Sequence, residues 1–165
     1  MADDQLDQTK AEEKLWKALD ATRTGMLGLV GGDHMQPMTG FAERETNTVW
    51  FYTRKDTDLV RETGDGRSAM YCLVTENEKI YACLAGDLSL SHDAERIAKY
   101  WNPVVAAWYP EGKDDPNLTL LRFDLSDAQI WMSEQGPVRF VWEVAKANLT
   151  KTFPDMGDRG EVRFQ

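Results

Sequence analysis

Thr53, Arg54 and Thr57 bring two hydroxyls and a guanidinium to the point where the aromatic run Val49-Trp50-Phe51-Tyr52 passes into a short helical segment. Side-chain and backbone donors at such a strand-to-helix turn suit an anion, a phosphate above all. Along the run, Val49, Phe51 and Thr53 point to one face and Trp50 and Tyr52 to the other, so both faces need apolar cover. The expected site is therefore a shelf for a planar, phosphorylated ligand of flavin type, with the aromatics bordering the ring. The run His34-Met35-Gln36-Pro37-Met38-Thr39, just upstream, reads as part of the same paired-strand unit.

Other candidate groups carry less. Ser91-His92-Asp93 contains the three residue types of a hydrolytic triad, but adjacent residues project in different directions, and a helix start is the better reading. His34, His92, Cys72 and Cys83 lack metal-ligand spacing, so no metal is expected. Glu111, Asp114 and Asp115 lie between prolines and read as a solvated loop that Lys113 can pin by pairing. Trp108 and Tyr109, at the edge of that loop, either pack or cover a planar ligand or a partner subunit.

The elements that must position these groups follow from periodicity. Thr9-Lys10-Ala11-Glu12 has the form of a capping box, and Leu15, Trp16 and Leu19 extend a helix from Thr9 to Ala21. Met26 to Val30 and Met35 to Ala42 form an antiparallel pair around Gly31-Gly32-Asp33, Asn47 marks the next turn, and the aromatic strand follows. Asp56 to Glu62 is a short helix with Asp56 as its cap and Gly64 as its stop. Ala69 to Thr75 and Lys79 to Leu90 pair around Glu76-Asn77-Glu78, with a bulge or bend at Gly86. Ser91-His92-Asp93 opens a helix carrying Ile97, Tyr100 and Trp101, which Pro103 ends or kinks. Leu118 to Leu125 and Ala128 to Met132 are two further strands. After Gly136-Pro137, Phe140, Val144 and Ala147 share one face of a closing helix over about 137–150, and Pro154 lies beyond it. The expected fold is mainly β with α: a single domain over 1–165, with a small antiparallel, Greek-key-like barrel over about 25–132 decorated by helices.

The 165 residues, 42% of them hydrophobic, fit one core. A net charge of −9 argues against nucleic acid as a partner. No apolar run approaches the roughly 20 residues needed to cross a bilayer, and residues 1–5 are acidic where a signal peptide is basic, so no membrane role and a cytoplasmic location are expected. Cys72 and Cys83 lie in neighbouring strands and read as buried structural thiols, with no disulfide expected in a reducing compartment. Six tryptophans and five tyrosines exceed what one small core readily buries, which points to a dimer interface.

Taken in order, Leu15-Trp16, Thr24-Gly25-Met26-Leu27, His34-Met35-Gln36-Pro37-Met38, Val49-Trp50-Phe51-Tyr52-Thr53, Tyr100-Trp101-Asn102-Pro103, the loop Trp108 to Pro116 and the run Ala128 to Trp131 resemble the general stress proteins of the pyridoxamine-phosphate-oxidase-like, FMN-binding split barrels. The resemblance spans nearly the whole chain. It implies a homodimer with FMN at the subunit interface, its phosphate near Thr53, Arg54 and Thr57, and its ring beside the strand Gln36, Pro37, Met38, Thr39. It also implies that Trp108 or Trp131 reaches the ring from the other subunit. Members that hold FMN firmly carry Arg before the Pro-Met pair and Lys after the helix-start Ser or Thr, where this chain has Gln36 and Leu59, with the acidic Asp58 alongside. Weak flavin binding is the expected consequence, and Arg54, Lys55 and Arg61 are the candidate replacement cations. The implied activity is a weak FMN-dependent oxidoreductase; the alternative is a non-catalytic dimer that has lost FMN and binds another ligand or a protein partner. Synthesis of the vitamin cofactor itself is disfavoured, because the C-terminal segment after His92 contains no further His.

Overall fold

A computed structural model describes residues 6–77, 79–133, 137–153, 155 and 157–165. The expectations placed above on residues 1–5, Glu78, Gly136 and Pro154 fall outside these. Helix α1 (Gln8–Ala21) leads into strands β1 (Thr24–Leu29), β2 (Gln36–Glu43) and β3 (Thr48–Arg54), then helix α2 (Asp58–Thr63). Strands β4 (Arg67–Val74) and β5 (Ile80–Ser91) precede helices α3 (Ala94–Tyr100) and α4 (Pro103–Ala106). Strand β6 (Leu118–Met132), helix α5 (Pro137–Thr150) and strand β7 (Asp158–Arg163) complete the order.

All described strand pairs are antiparallel, in the spatial order β3-β2-β1-β4-β5-β6-β7, and a β3–β6 pairing closes β1 to β6 into a barrel. The neighbours β4-β1-β2-β3 have the Greek-key arrangement, as expected. Closure leaves β7 as the added outer strand, on β6.

Alternation fills the barrel. Val49 and Phe51 of β3 enter the main core with Leu27, Tyr71, Leu84 and Phe123, whereas Trp50 and Tyr52 enter a second, outer cluster with Phe41, Ile97, Val105 and Tyr109. The two-faced reading of the aromatic strand is therefore correct, and α3, α4 and the loop after them supply the outer cover. Helix α1 closes one end, with Ala11, Leu15, Trp16, Ala18 and Leu19 buried. A Cβ on Gly160 of β7 would lie 2.8 Å from the Ala11 Cβ, so glycine lets helix and strand meet.

Several local expectations need correction. The cap of α1 is Asp7, which accepts from the Lys10 amide at 3.0 Å, and Thr9 lies inside the helix. The cap of α2 is Thr57, because Asp56 is taken by Arg54. Leu118 to Met132 is one strand: Ser126 is the extra residue of a bulge opposite Ala85 and Gly86, where a Cβ on Gly86 would run into the Asp124 carbonyl. Pro103 does not merely end α3 but occupies the first turn of α4, whose cap Asn102 accepts from the amides of Val104 and Val105. Asp115 is buried and accepts from the amides of Glu111 and Asn117, so that part of the loop is not solvated. Strand β7 was not expected at all. Phe140 is 48% and Val144 37% exposed, so the proposed inner face of α5 is not covered by the barrel. Among the described residues no helix is long and apolar enough to cross a membrane.

Candidate functional site

The β2–β3 ladder runs only from Glu43↔Thr48 to Gly40↔Phe51. Beyond it the strands part: Gln36 to Thr39 stay paired with β1, and Tyr52 to Arg54 with β6. Pro37, which has no N–H to donate, sits in the parted segment. Backbone groups on the facing edges thus lack ladder partners and are available to a ligand. The gap between them is a cleft of about 790 Å³, within the usual range for small-molecule sites.

Gln36, Pro37, Met38 and Thr39 form one wall, and Tyr52, Thr53, Arg54 and Thr57 form the other. Asn102, Pro103, Val104 and Val105 of the α4 region, with Trp108 and Tyr109, border it, and Arg23 and Phe41 complete the lining. The wall aromatics support one another: Tyr52 meets Phe41 edge-on at 5.6 Å and Trp101 at 6.1 Å, and Trp101 meets Tyr109 at 6.2 Å. The Tyr52 hydroxyl donates to the Ile97 carbonyl at 2.6 Å, tying the wall to α3. Burial pushes both the Tyr52 and Tyr109 phenols up to about 12, so they stay neutral and act as packing and hydrogen-bonding groups.

The electrostatics of the cleft are opposite to those of the chain. Among the described residues two guanidiniums, Arg23 and Arg54, line it and no carboxylate does, on a protein of net charge −9. Arg54 is held by Asp56 through Nε and Nη2, both at 3.1 Å. Arg23 lies over the Phe41 ring at 5.6 Å and has no ion pair among the described residues. The Thr57 hydroxyl donates to the Arg54 carbonyl at 3.1 Å and accepts from the Val60 amide at 3.3 Å, so it shapes the turn as well as facing the cleft.

Helix α3, which backs the aromatic wall, is fastened through Glu43. That carboxylate is 3% exposed and accepts from Arg96 at 2.9 Å, Tyr100 at 2.6 Å, Thr46 at 2.9 Å and Lys99 at 3.3 Å. The Arg96 guanidinium, outweighing burial, holds its pKa at about 2, with the Tyr100, Thr46 and Lys99 bonds adding to the effect.

Of the residues singled out from sequence, Gln36, Pro37, Met38, Thr39, Tyr52, Thr53, Arg54, Thr57 and Trp108 meet in this cleft. Four do not. Phe51 is fully buried in the main core against Tyr71. Leu59 also faces that core, so its position cannot present a cation to a phosphate. Asp58 points outward and pairs with Arg61, and neither of them lines the cleft. Lys55 is exposed and outside the lining. Trp131, expected to reach the ring from the other subunit, lies in a different groove of its own chain, with Cys72 and Cys83. Arg23 was missed: it reaches the cleft only because the Gly40 amide donates to its carbonyl at 2.7 Å, a register no local motif reveals.

The residues present fit a planar ligand that carries an anionic group: aromatic walls, free strand edges, hydroxyls and two cations. Comparison with known proteins agrees with the architecture. The profile of the family described as pyridoxamine 5'-phosphate oxidase like matches residues 10–155. General stress protein 26 of Bacillus subtilis (strain 168) is 28% identical over 139 residues, covering 81% of this chain and 97% of that protein. The structure of a protein described as general stress protein 26 from Jannaschia sp. CCS1 superposes with a TM-score of 0.78 at 34% identity, over 94% of this chain and 99% of the other. The general stress FMN/FAD binding protein of Xanthomonas citri does so with a TM-score of 0.72 at 41% identity, over 78% and 92%. The chain thus belongs to the pyridoxamine 5'-phosphate oxidase-like family of split barrels, among the general stress protein 26 relatives.

Proposed function

We propose that the cleft binds FMN and that the protein is a flavin-dependent oxidoreductase of weak activity, acting in the cytoplasm as a homodimer. The observation that carries this reading is a cleft with two guanidiniums and, among the described residues, no carboxylate, opened between unpaired strand edges and walled by aromatics. The Xanthomonas citri relative, described as FMN/FAD binding, supports the choice of ligand. Thr53, Arg54 and the turn at Thr57 hold the phosphate, and the free edges of Gln36 to Thr39 meet the polar rim of the ring. Tyr52 and Trp108 limit its position.

When bound, FMN supplies two-electron redox chemistry. Among the described residues the lining contains no His, Lys, Asp, Glu or Cys, so the chain's part is to orient the ring, exclude water from one face and neutralise the phosphate. The dimer reading is supported by apolar side chains that the barrel leaves uncovered: Val141 and Trp142 of α5 are 65% and 66% exposed, and Val104 and Trp108 at the cleft rim 75% and 69%. Titration of the purified protein with FMN and with riboflavin tests the reading. Saturable FMN binding, tighter than that of riboflavin, is expected; no saturable binding of either would overturn it.

A second reading, a dimer that has lost FMN and holds another anionic ligand, is favoured by two details. Gln36 brings no charge, and Arg54 is already bonded to Asp56. Saturable binding of pyridoxal phosphate with none of FMN is the result that would select it.

A further inference from the structure

Cys72 of β4 and Cys83 of β5 are direct register partners, with their sulfurs 3.2 Å apart. Both are free thiols, half-buried and not fully enclosed in the core, contrary to the sequence reading. They border a groove of about 470 Å³ together with Met26, Tyr81 and Trp131. Register places Pro37 opposite Met26, Met26 opposite Cys72, and Cys72 opposite Cys83. The thiol pair therefore lies on a single cross-strand row that starts at the cleft wall, with Cys72 two strands, or about 10 Å, from Pro37.

We propose that Cys72 and Cys83 form a reversible dithiol–disulfide site whose reaction partners are low-molecular-weight disulfides and thiols. Directly opposed residues of an antiparallel pair have Cα atoms about 4.5 to 5.5 Å apart, inside the roughly 4.4 to 6.8 Å that disulfides span. The sulfurs need to close by about 1.2 Å to reach bonding distance, a movement within reach of side-chain rotation. A lone structural thiol needs no partner in register and no groove. This pair has both.

The step balances. One Cys sulfur attacks an external disulfide, forming a mixed disulfide and releasing one small thiol. The second Cys sulfur then attacks the first, releasing the other small thiol. The two Cys S–H protons end on the two released thiols, one Cys72–Cys83 bond forms and one external S–S bond breaks. Two electrons pass from the chain to the reagent, and excess thiol reverses the sequence. Burial, with the Cys72 hydrogen bond next, pushes the Cys83 thiol up to about 12. Either sulfur can enter, and the other then resolves the mixed disulfide.

The inference is independent of what fills the cleft. The test equilibrates the full-length protein with oxidised glutathione, then alkylates free thiols and measures intact mass without reductant. The expected product has lost both alkylatable thiols and two hydrogens, carries no glutathione and is not linked between chains; dithiothreitol restores both thiols. In Cys83→Ser and in Cys72→Ser alike, with no second sulfur to resolve it, one glutathione should remain on the surviving cysteine. Wild-type protein that keeps two alkylatable thiols, or that ends with glutathione on each cysteine, would overturn the proposal. Two single variants that both take up no glutathione would overturn it as well.

Discussion

Arg54 and Asp56 give opposite predictions from one pair of side chains. The guanidinium lines the cleft and Asp56 holds two of its nitrogens at 3.1 Å. A hydrogen bond from a cation to a phosphate contributes about 1.5–3 kcal/mol. Arg54 is 43% exposed, so the lower figure applies, and Arg54→Met should weaken FMN binding about tenfold at roughly 1.4 kcal/mol per decade. Asp56→Asn removes a negative charge from beside the same phosphate. At about 7 Å in water-like surroundings that repulsion is ~0.6 kcal/mol, so affinity should rise by about two- to threefold. Flavin fluorescence titrations read both changes, with riboflavin as the control that lacks the phosphate. Riboflavin affinity should be unmoved in both variants, and the FMN effects should shrink as salt shortens the screening length from roughly 30 Å at 0.01 M to 3 Å at 1 M. Losses of equal size for FMN and riboflavin in Arg54→Met, or weaker FMN binding in Asp56→Asn, would refute a phosphate at this end of the cleft.

Glu43 should make the wall behind the cleft sensitive to acid. Its pKa falls from an ordinary 4.5 to about 2 in the fold, a contribution of ~3 kcal/mol at neutral pH. Because the folded value is the lower one, this stabilisation is complete above about pH 5 and is lost as pH falls from there through 2. Urea melts of wild type and Glu43→Gln between pH 7 and pH 3 should therefore converge as pH drops; a constant difference would contradict the ion cluster. Gln36→Arg adds a cation to the cleft wall and should tighten FMN binding about tenfold in the same titration. Leu59→Lys instead places an amine in the core and should lower thermal stability without improving FMN affinity; tighter binding would show that the position faces the phosphate after all. Val141→Glu with Trp142→Glu should shift the dimer to monomer in sedimentation experiments, and an unchanged dimer would remove α5 from the interface.

The barrel was legible because its strands alternate with few interruptions and its turns carry Gly31-Gly32, Asn47 and Gly64 at the right places. Where the reading slipped, local chemistry competed with long-range pairing. Ser126-Asp127 look like a turn, yet the Ser126 hydroxyl donates to the Ala85 carbonyl at 3.1 Å and β6 continues through a bulge. Strand β7 hides because only Gly160 and Val162 face inward among charged residues, the pattern of a guarded edge. The two walls of the cleft were legible as segments, since each is local. Which way α2 turns was not: a one-residue shift of its cap, from Asp56 to Thr57, goes with Leu59 in the core and Asp58 outward. Arg23 and the Glu43 cluster depend on register and on a partner 53 residues away, and neither leaves a sequence motif.

A crystal structure of the protein with FMN tests the central claim most directly. The account predicts the ring between Gln36–Thr39 and Tyr52, with the phosphate within hydrogen-bonding distance of the turn from Thr53 to Thr57 and of Arg54. FMN bound elsewhere, or bound in this cleft with its phosphate directed away from Arg54 into solvent, would contradict it.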